Sequence, residues 1–404
     1  MTYDRKDSET GRNTGKSGPL NILLFIVLFL ALICISLFVY LKSQNISLKD
    51  ISLKSTIEAV FSSKAGEDGN NRNTREIKYE SSERPAFAVY NGYIIKCMRD
   101  SVKGFSKNGE EEWTVPVSVS NPFLKAVGKN LLVADIGGKD IYLLDGKSIK
   151  WNKKLDNNII SVDLNKDGYI AVTHEAKGYR GQVSVYNQNG NEILSRTVFQ
   201  NFPLSAKVLP SARQLVINSI NASGIKATTG LTYVNMNASG FKDIVPREDM
   251  MFPVMWSLDN GLLAAVSQSS VIAFSNVPEE KWKYELKDNK IYCSDILDGK
   301  NLVLAVSRKD DEGNLRDDIT DIKILDKDGE VTSEFSIEDK IKNIKVYGHV
   351  IGLNTGRVVY FVNQKGSLLD KCTSNTEVSE VFFVSGQEVV LITKNKIIIN
   401  SINT

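Results

Sequence analysis

Side chains able to do chemistry are few in this chain and widely spread. Its 404 residues include two histidines, His174 and His349, and four cysteines, Cys34, Cys97, Cys293 and Cys372. No two cysteines form a C-x-x-C pair, so neither a zinc cluster nor a disulfide framework is available. A serine nucleophile needs a base beside it, and no Gly-x-Ser-x-Gly elbow accompanies either histidine. The most ligand-like string is Asp163-Leu164-Asn165-Lys166-Asp167-Gly168. Oxygens at positions 1, 3 and 5 followed by glycine are what a calcium loop presents. The pattern then breaks, with Ala171 at position 9 and His174 at position 12, where a bidentate glutamate belongs. Asp-Gly between two apolar runs is also a common hairpin signal. Asp163, Asn165 and Asp167 are therefore expected to build a turn, a bound cation being the alternative. Gly11-Arg12-Asn13-Thr14-Gly15-Lys16-Ser17 falls one residue short of a phosphate-binding loop, and no strand precedes it, so we read it as chance. The expectation is no catalytic residue, no cofactor site and no metal site.

The elements that must carry these residues begin with an anchor. Residues 22–41, ILLFIVLFLALICISLFVYL, hold no charge, and none occurs between Lys16 and Lys42. Twenty apolar residues in a helix reach about 30 Å, the thickness of a bilayer core. No small-residue cleavage site follows, so the segment reads as a retained span and not a signal peptide. Ile33 precedes Cys34 where a lipobox would carry a small residue, so Cys34 reads as membrane-buried. Four basic residues before the span against three soon after it, together with its position near the N-terminus, favour a cytoplasmic tail and an extracytoplasmic main body. The division is 1–18 tail, 19–42 transmembrane helix, 43–75 juxtamembrane segment and linker, and 76–404 main domain. Within the linker, 46–61 has amphipathic helical spacing, which suits either the headgroups or a stalk. Residues 62–75 carry no large apolar side chain and read as a tether.

Charge excludes one large class of function. The chain carries 10 basic and 7 acidic residues through Arg75, and 40 basic and 41 acidic beyond it. A neutral main body offers no surface on which to displace counterions from phosphates, so nucleic acid is not an expected partner.

Beyond residue 75 the chain repeats. Short β-branched and aromatic runs alternate with Asn-Gly, Asp-Gly and Lys-Gly turns, and one unit recurs: two apolar strands, a gap, a third strand, a glycine turn, and a fourth strand often bearing tryptophan. The turns FSKNGEEEW (105–113), YLLDGKSIKW (142–151), VYNQNGNEIL (185–194), ILDKDGEVTSEF (324–335) and YFVNQKGSLL (360–369) show it best. Copies start near Phe87, Phe123, Ile159, Leu204, Pro253, Tyr292 and Ile344. After Cys372 only three strands remain. Before the first copy, Glu76-Ile77-Lys78-Tyr79-Glu80 resembles the fourth-strand sequence Trp282-Lys283-Tyr284-Glu285-Leu286. One N-terminal strand and three C-terminal strands would complete an eighth unit, giving about 41 residues per unit. Closing the ring this way also removes the unpaired edges that an open array would leave. The fold class is thus all-β, a β-propeller of eight four-stranded blades after one transmembrane helix. Seven blades is the alternative if the irregular stretch 220–250 or the N-terminal strand forms no unit. Trp113, Trp151 and Trp282 are expected to fill space between blades.

The repeat over 76–404 resembles the pyrroloquinoline-quinone-type and WD40-like β-propellers, and is similar to single-pass, membrane-anchored propeller proteins of Gram-positive bacteria. Quinone-dependent dehydrogenases of that type would imply vicinal cysteines, a calcium ion and regular Ala-x-Asp-x-x-Thr-Gly-x-x-x-Trp repeats. This chain has no adjacent cysteines, four tryptophans and no such repeat. The expected function is a non-catalytic, membrane-anchored scaffold that holds an envelope protein or a cell-wall polymer outside the cytoplasm. The alternatives are an extracytoplasmic ligand sensor and, third, an envelope hydrolase. A tail of eighteen residues, with no signalling module in it, weighs against the sensor.

Overall fold

The structure is a computed structural model, and it describes residues 74–404 apart from 211–213, 238–240, 244–246, 249, 276–278 and 311. The expected tail, span and most of the linker lie outside the described residues; among the described residues no helix is long and apolar enough to cross a membrane.

Eight antiparallel sheets make up the domain, each built from strands in chain order. Blade 1 comprises Ala86–Tyr90, Tyr93–Cys97, Ser101–Phe105 and Glu111–Pro116. Blade 2 comprises Pro122–Val127, Asn130–Asp135, Asp140–Asp145 and Ser148–Lys154. Blade 3 runs from Ile159–Leu164 through Ile170–His174 and Gly181–Tyr186 to Glu192–Val198. Blades 5, 6 and 7 start at Val254–Ser257, Ile291–Leu297 and Asn343–Tyr347. Blade 8 joins Val378–Ser385, Glu388–Thr393 and Lys396–Ser401 to Arg75–Lys78, which supplies its outermost strand. Arg75 pairs Ile399 and Lys78 pairs Lys396, so the ring is closed by the two ends of the repeat, one residue ahead of the expected boundary at 76.

Blade 4 decides between eight blades and seven. Phe202–Val208, Gln214–Asn221 and Thr228–Asn235 form a regular three-stranded core, and the outer strand is broken into Phe241–Asp243 and Arg247–Glu248, both paired with Thr228–Asn235. The stretch is irregular, yet it is a blade.

Burial follows strand position. Middle strands are apolar on both faces, as in Asn130–Asp135, because a blade is covered by a neighbour on each side. Outer strands alternate, as in Ser148–Lys154, because one face meets solvent. The period-2 geometry of a strand sends Leu131 and Val133 to blade 1 and Leu132 and Ala134 to blade 3. Eight hydrophobic clusters result among the described residues, each between two neighbouring blades. One of them joins Val390, Ile392, Ile397 and Ile399 to Phe87, Ile94 and Phe105 and seals blade 8 against blade 1.

The tryptophans explain the glycine turns. Trp151, on the outer strand of blade 2, crosses to blade 3, donates from Nε1 to the Gln188 carbonyl at 3.3 Å and lies on Gly190, where a Cβ would come within 2.9 Å of the ring. Trp282 of blade 5 does the same on blade 6, with Nε1 2.8 Å from the Lys327 carbonyl and 2.7 Å between the ring and a Cβ placed at Gly329. Phe335 of blade 6 covers Gly366 of blade 7. Trp113 instead covers Gly104 of its own blade, within the cluster shared by blades 1 and 2.

Candidate functional site

Antiparallel order puts the turns after the first and third strands of every blade on one face, called here the turn face. Connections after the second and fourth strands lie on the other, the loop face. Arg75 enters at the turn face, where its guanidinium donates to the Lys107 carbonyl at 2.9 Å.

The structure does not gather Asp163, Asn165 and Asp167. Asp163 lies on the innermost strand of blade 3, flanked by lysines from the innermost strands of blades 2 and 4: Lys125 Nζ is 2.5 Å and Lys207 Nζ 3.2 Å from the same carboxylate oxygen. Burial holds the Lys207 ammonium below the usual lysine range; Asp163 counters that shift and Lys125 adds to it. Asn165 folds over its own turn, where Oδ1 accepts the N–H groups of Asp167 and Tyr169 at 3.0 and 2.9 Å and Gly168 N–H returns to the Asn165 carbonyl. The same closed turn recurs at Asn187–Gly190, Asp326–Gly329 and Asn363–Gly366. Asp167 points into solvent. Among the described residues no group of three or more His, Cys, Asp or Glu side chains is arranged to hold a metal ion.

The two histidines lie on opposite faces. His174 is buried at the loop end of its strand, with Nδ1 3.0 Å from the Glu175 carbonyl and Nε2 3.1 Å from Ser184 Oγ. For a neutral ring the carbonyl requires Nδ1–H, so Nε2 accepts from the serine hydroxyl. His349 is exposed on the turn face, 3.3 Å from both Asp298 and Gln364. Burial pushes the Cys97 and Cys293 thiols up to about 12 each, and Cys372 is buried in the cluster between blades 7 and 8.

Two concavities open on the loop face. The larger, about 530 Å³, sits at blades 5 and 6 and is lined by Met250, Met251, Val254, Gln268, Tyr292 and Cys293 among others. At its inner end Trp256 Nε1 donates to Ser294 Oγ at 3.0 Å. The smaller, about 340 Å³, lies by Arg357, where an ion pair joins Lys342 to Glu377.

A family model described as a family of unknown function, DUF5711, matches residues 68–400. The chain belongs to the DUF5711 family. No curated protein sequence matches it. The DUF5711 propeller is similar in structure to Sqt1 of Saccharomyces cerevisiae, with a TM-score of 0.58 and 13% identity over 81% of this chain and 98% of that one. It is also similar to the C-terminal WD40 domain of Sif2, with a TM-score of 0.58 and 10% identity over 81% and 98%. Against BamB from Moraxella catarrhalis the TM-score is 0.51 and the identity 13%, again over 81% and 98%. At such identities the likeness establishes the propeller fold alone.

Sequence reasoning missed two features of this DUF5711 chain. The first is the Lys125–Asp163–Lys207 group, whose members come from three blades. The second is a set of large apolar side chains left exposed on the loop face of blades 3 to 5: Tyr179, Phe199, Phe202, Ile225, Met251 and Val254. A signal was present, since Tyr179, Phe199 and Ile225 stand in connections, where no strand period can account for an apolar residue.

Proposed function

We propose that the chain is a non-catalytic, membrane-anchored scaffold whose propeller holds an envelope protein or a cell-wall polymer on the extracytoplasmic side. One contrast carries the reading: His174, Asp163 and the described thiols are committed to internal contacts, whereas six large apolar side chains are spent on solvent at the loop face. His174 is held between a carbonyl and a hydroxyl, Asp163 between two lysines, and the thiols are protonated by burial. Soluble monomers rarely leave a contiguous apolar patch of any size uncovered unless something docks on it. Residues 22–41 support the membrane location, and the first propeller strand starts at the turn face.

Protease added to intact cells tests the arrangement: cleavage between residues 62 and 75 is expected, whereas full protection until lysis reverses the orientation. Cross-linking in native membranes tests the scaffold, with a stoichiometric polypeptide or glycan adduct as the expected result. A second reading, a ligand sensor, is favoured by the 530 Å³ cavity at blades 5 and 6. Stabilisation of the purified chain by a small molecule from the growth medium, without any stoichiometric partner, would select it.

A further inference from the structure

We infer that the loop face over blades 3 to 5 docks an extended segment of a partner polypeptide carrying aromatic or aliphatic anchors flanked by carboxylates. The inference rests on the scaffold reading above and names its surface and the chemistry of its partner.

The anchoring part of the argument is apolar. Phe199 is 67% exposed, Met251 52% and Tyr179 50%. Tyr179 and Phe199 meet edge to face at 5.0 Å between ring centres, and the Arg180 guanidinium lies over the Phe202 ring at 4.6 Å. These contacts orient the rings while leaving roughly half of their surface open. Rigid aromatics beside an arginine are what the energetic centre of a protein–protein interface is made of. Met251 and Val254 line the 530 Å³ cavity, so the set is concave at blade 5. Methionines lining such a cavity adapt to the shape of an inserted side chain. Of the eleven large apolar side chains exposed among the described residues, these six share one face and three adjacent blades.

Charge selects the partner. In the described connections of blades 2 to 4 on this face, Lys139, Lys177, Arg180 and Lys226 stand against Asp156 and Glu175. On the same face the described part of the blade 6 hairpin carries Asp310, Glu312, Asp317 and Asp318 against Arg308, Lys309 and Arg316. An anionic segment is thus favoured at blades 3 and 4 over blade 6. A lipid surface is the weaker match, because Met251 and Val254 of the set line a concave site. Four cations against two anions are also too few to hold a bilayer by charge.

A phage-displayed library of random 16-residue peptides, selected on the full chain in nanodiscs, tests the chemistry. Enriched peptides are expected to pair aromatic or aliphatic residues with flanking Asp or Glu. Their retention should fall at least tenfold on Phe199→Asp and on Arg180→Glu, both exposed positions whose melting temperature should match the parent. Failure to enrich any peptide, enrichment without carboxylates, or retention unchanged by both variants overturns the proposal. Benzoylphenylalanine placed in cells at Phe199 or at His349 separates the two levels of the argument. Polypeptide adducts at 199 alone support the surface, and lipid adducts at 199 overturn it. Polypeptide adducts at 349 alone overturn this surface and leave the scaffold standing, and adducts at neither position sink both.

Discussion

Replacing Gly329 by alanine isolates what the aromatic seats between blades contribute, because the same blade supplies its own control. Gly329 and Gly313 have φ of +85° and +87°. Each closes the same kind of turn: Asp326 Oδ1 accepts from residues 328 and 330, and Asp310 Oδ1 from residues 312 and 314. Each glycine N–H returns to its aspartate carbonyl, at 3.1 and 3.0 Å. The surroundings differ. A Cβ at Gly313 meets nothing within 4 Å, whereas one at Gly329 lands 2.7 Å from two carbons of the Trp282 ring. Forcing an L-residue into this backbone region costs about 1–2 kcal/mol, and Gly313→Ala should cost that alone. Gly329→Ala adds overpacking, roughly 1–3 kcal/mol. It also adds about 1 kcal/mol for straining the Trp282 bond to the Lys327 carbonyl, for a total of about 3–6 kcal/mol. Urea titration of both variants reads the difference in midpoint at constant m. A Trp282→Ala background sharpens the test: there, Gly329→Ala should fall back to about 1–2 kcal/mol. Equal losses for the two glycines, or additivity with Trp282→Ala, would refute the claim that neighbouring blades are seated on these glycines.

Three further outcomes follow from the geometry. Ile77→Asp puts a charge into the cluster that joins blades 8 and 1 and should cost about 2–4 kcal/mol in the same titration, with deletion of residues 75–78 costing more; an unchanged midpoint means that this strand does not close the ring. Asp163→Asn leaves Lys125 and Lys207 facing each other and should cost about 3 kcal/mol or more, whereas Lys207→Met leaves an intact pair and should stay within about 1 kcal/mol; the reverse order would show that the lysines are not held by the carboxylate. Burial raises the Asp295 carboxyl above the usual range, so the folded state takes up a proton before the unfolded state does, and this group's contribution to stability falls as pH rises from the unfolded value to the folded one. Relative to Asp295→Asn, the parent should therefore gain melting temperature as pH falls from 7 toward 4, and parallel curves would refute the assignment.

The features legible in the sequence are those written within one repeat or at its ends, and the blade count was narrowed to eight with seven as the alternative. A glycine turn and the two apolar strands before it recur at a similar spacing, so the blade could be read directly. Ring closure was legible because Glu76–Glu80 carries a copy of the outer-strand sequence near Trp282. The calcium-like string forms a turn at Asn165, closed in the same way as those at Asn187 and Asp326, while Asp163 stands on the strand before it. The partners of Asp163 could not be read, because Lys125 and Lys207 lie 38 and 44 residues away and only the stagger of three innermost strands brings them together. Blade 4 was the hardest unit, its outer strand being split into Phe241–Asp243 and Arg247–Glu248.

The seating of one blade on the next also divides the two faces by the freedom they have to change. Gly109, Gly190, Gly329 and Gly366 all belong to turns between third and fourth strands, and each lies under a side chain from the preceding blade. The glycines of those turns are constrained twice, by a positive φ and by a neighbour's side chain, so the turn face is tied to the integrity of the propeller. Described connections between second and third strands carry no aromatic seat of this kind, although Lys342 lies on Gly356 in blade 7. They range from two residues, 394–395, to the hairpin of blade 6 that extends the strands Asn301–Lys309 and Leu315–Leu325 well past the body of the blade. The loop face can therefore accept length, charge and exposed aromatics without disturbing blade packing. A surface built to meet a partner is best placed there, and the exposed aromatic set around Phe199 is found on that face.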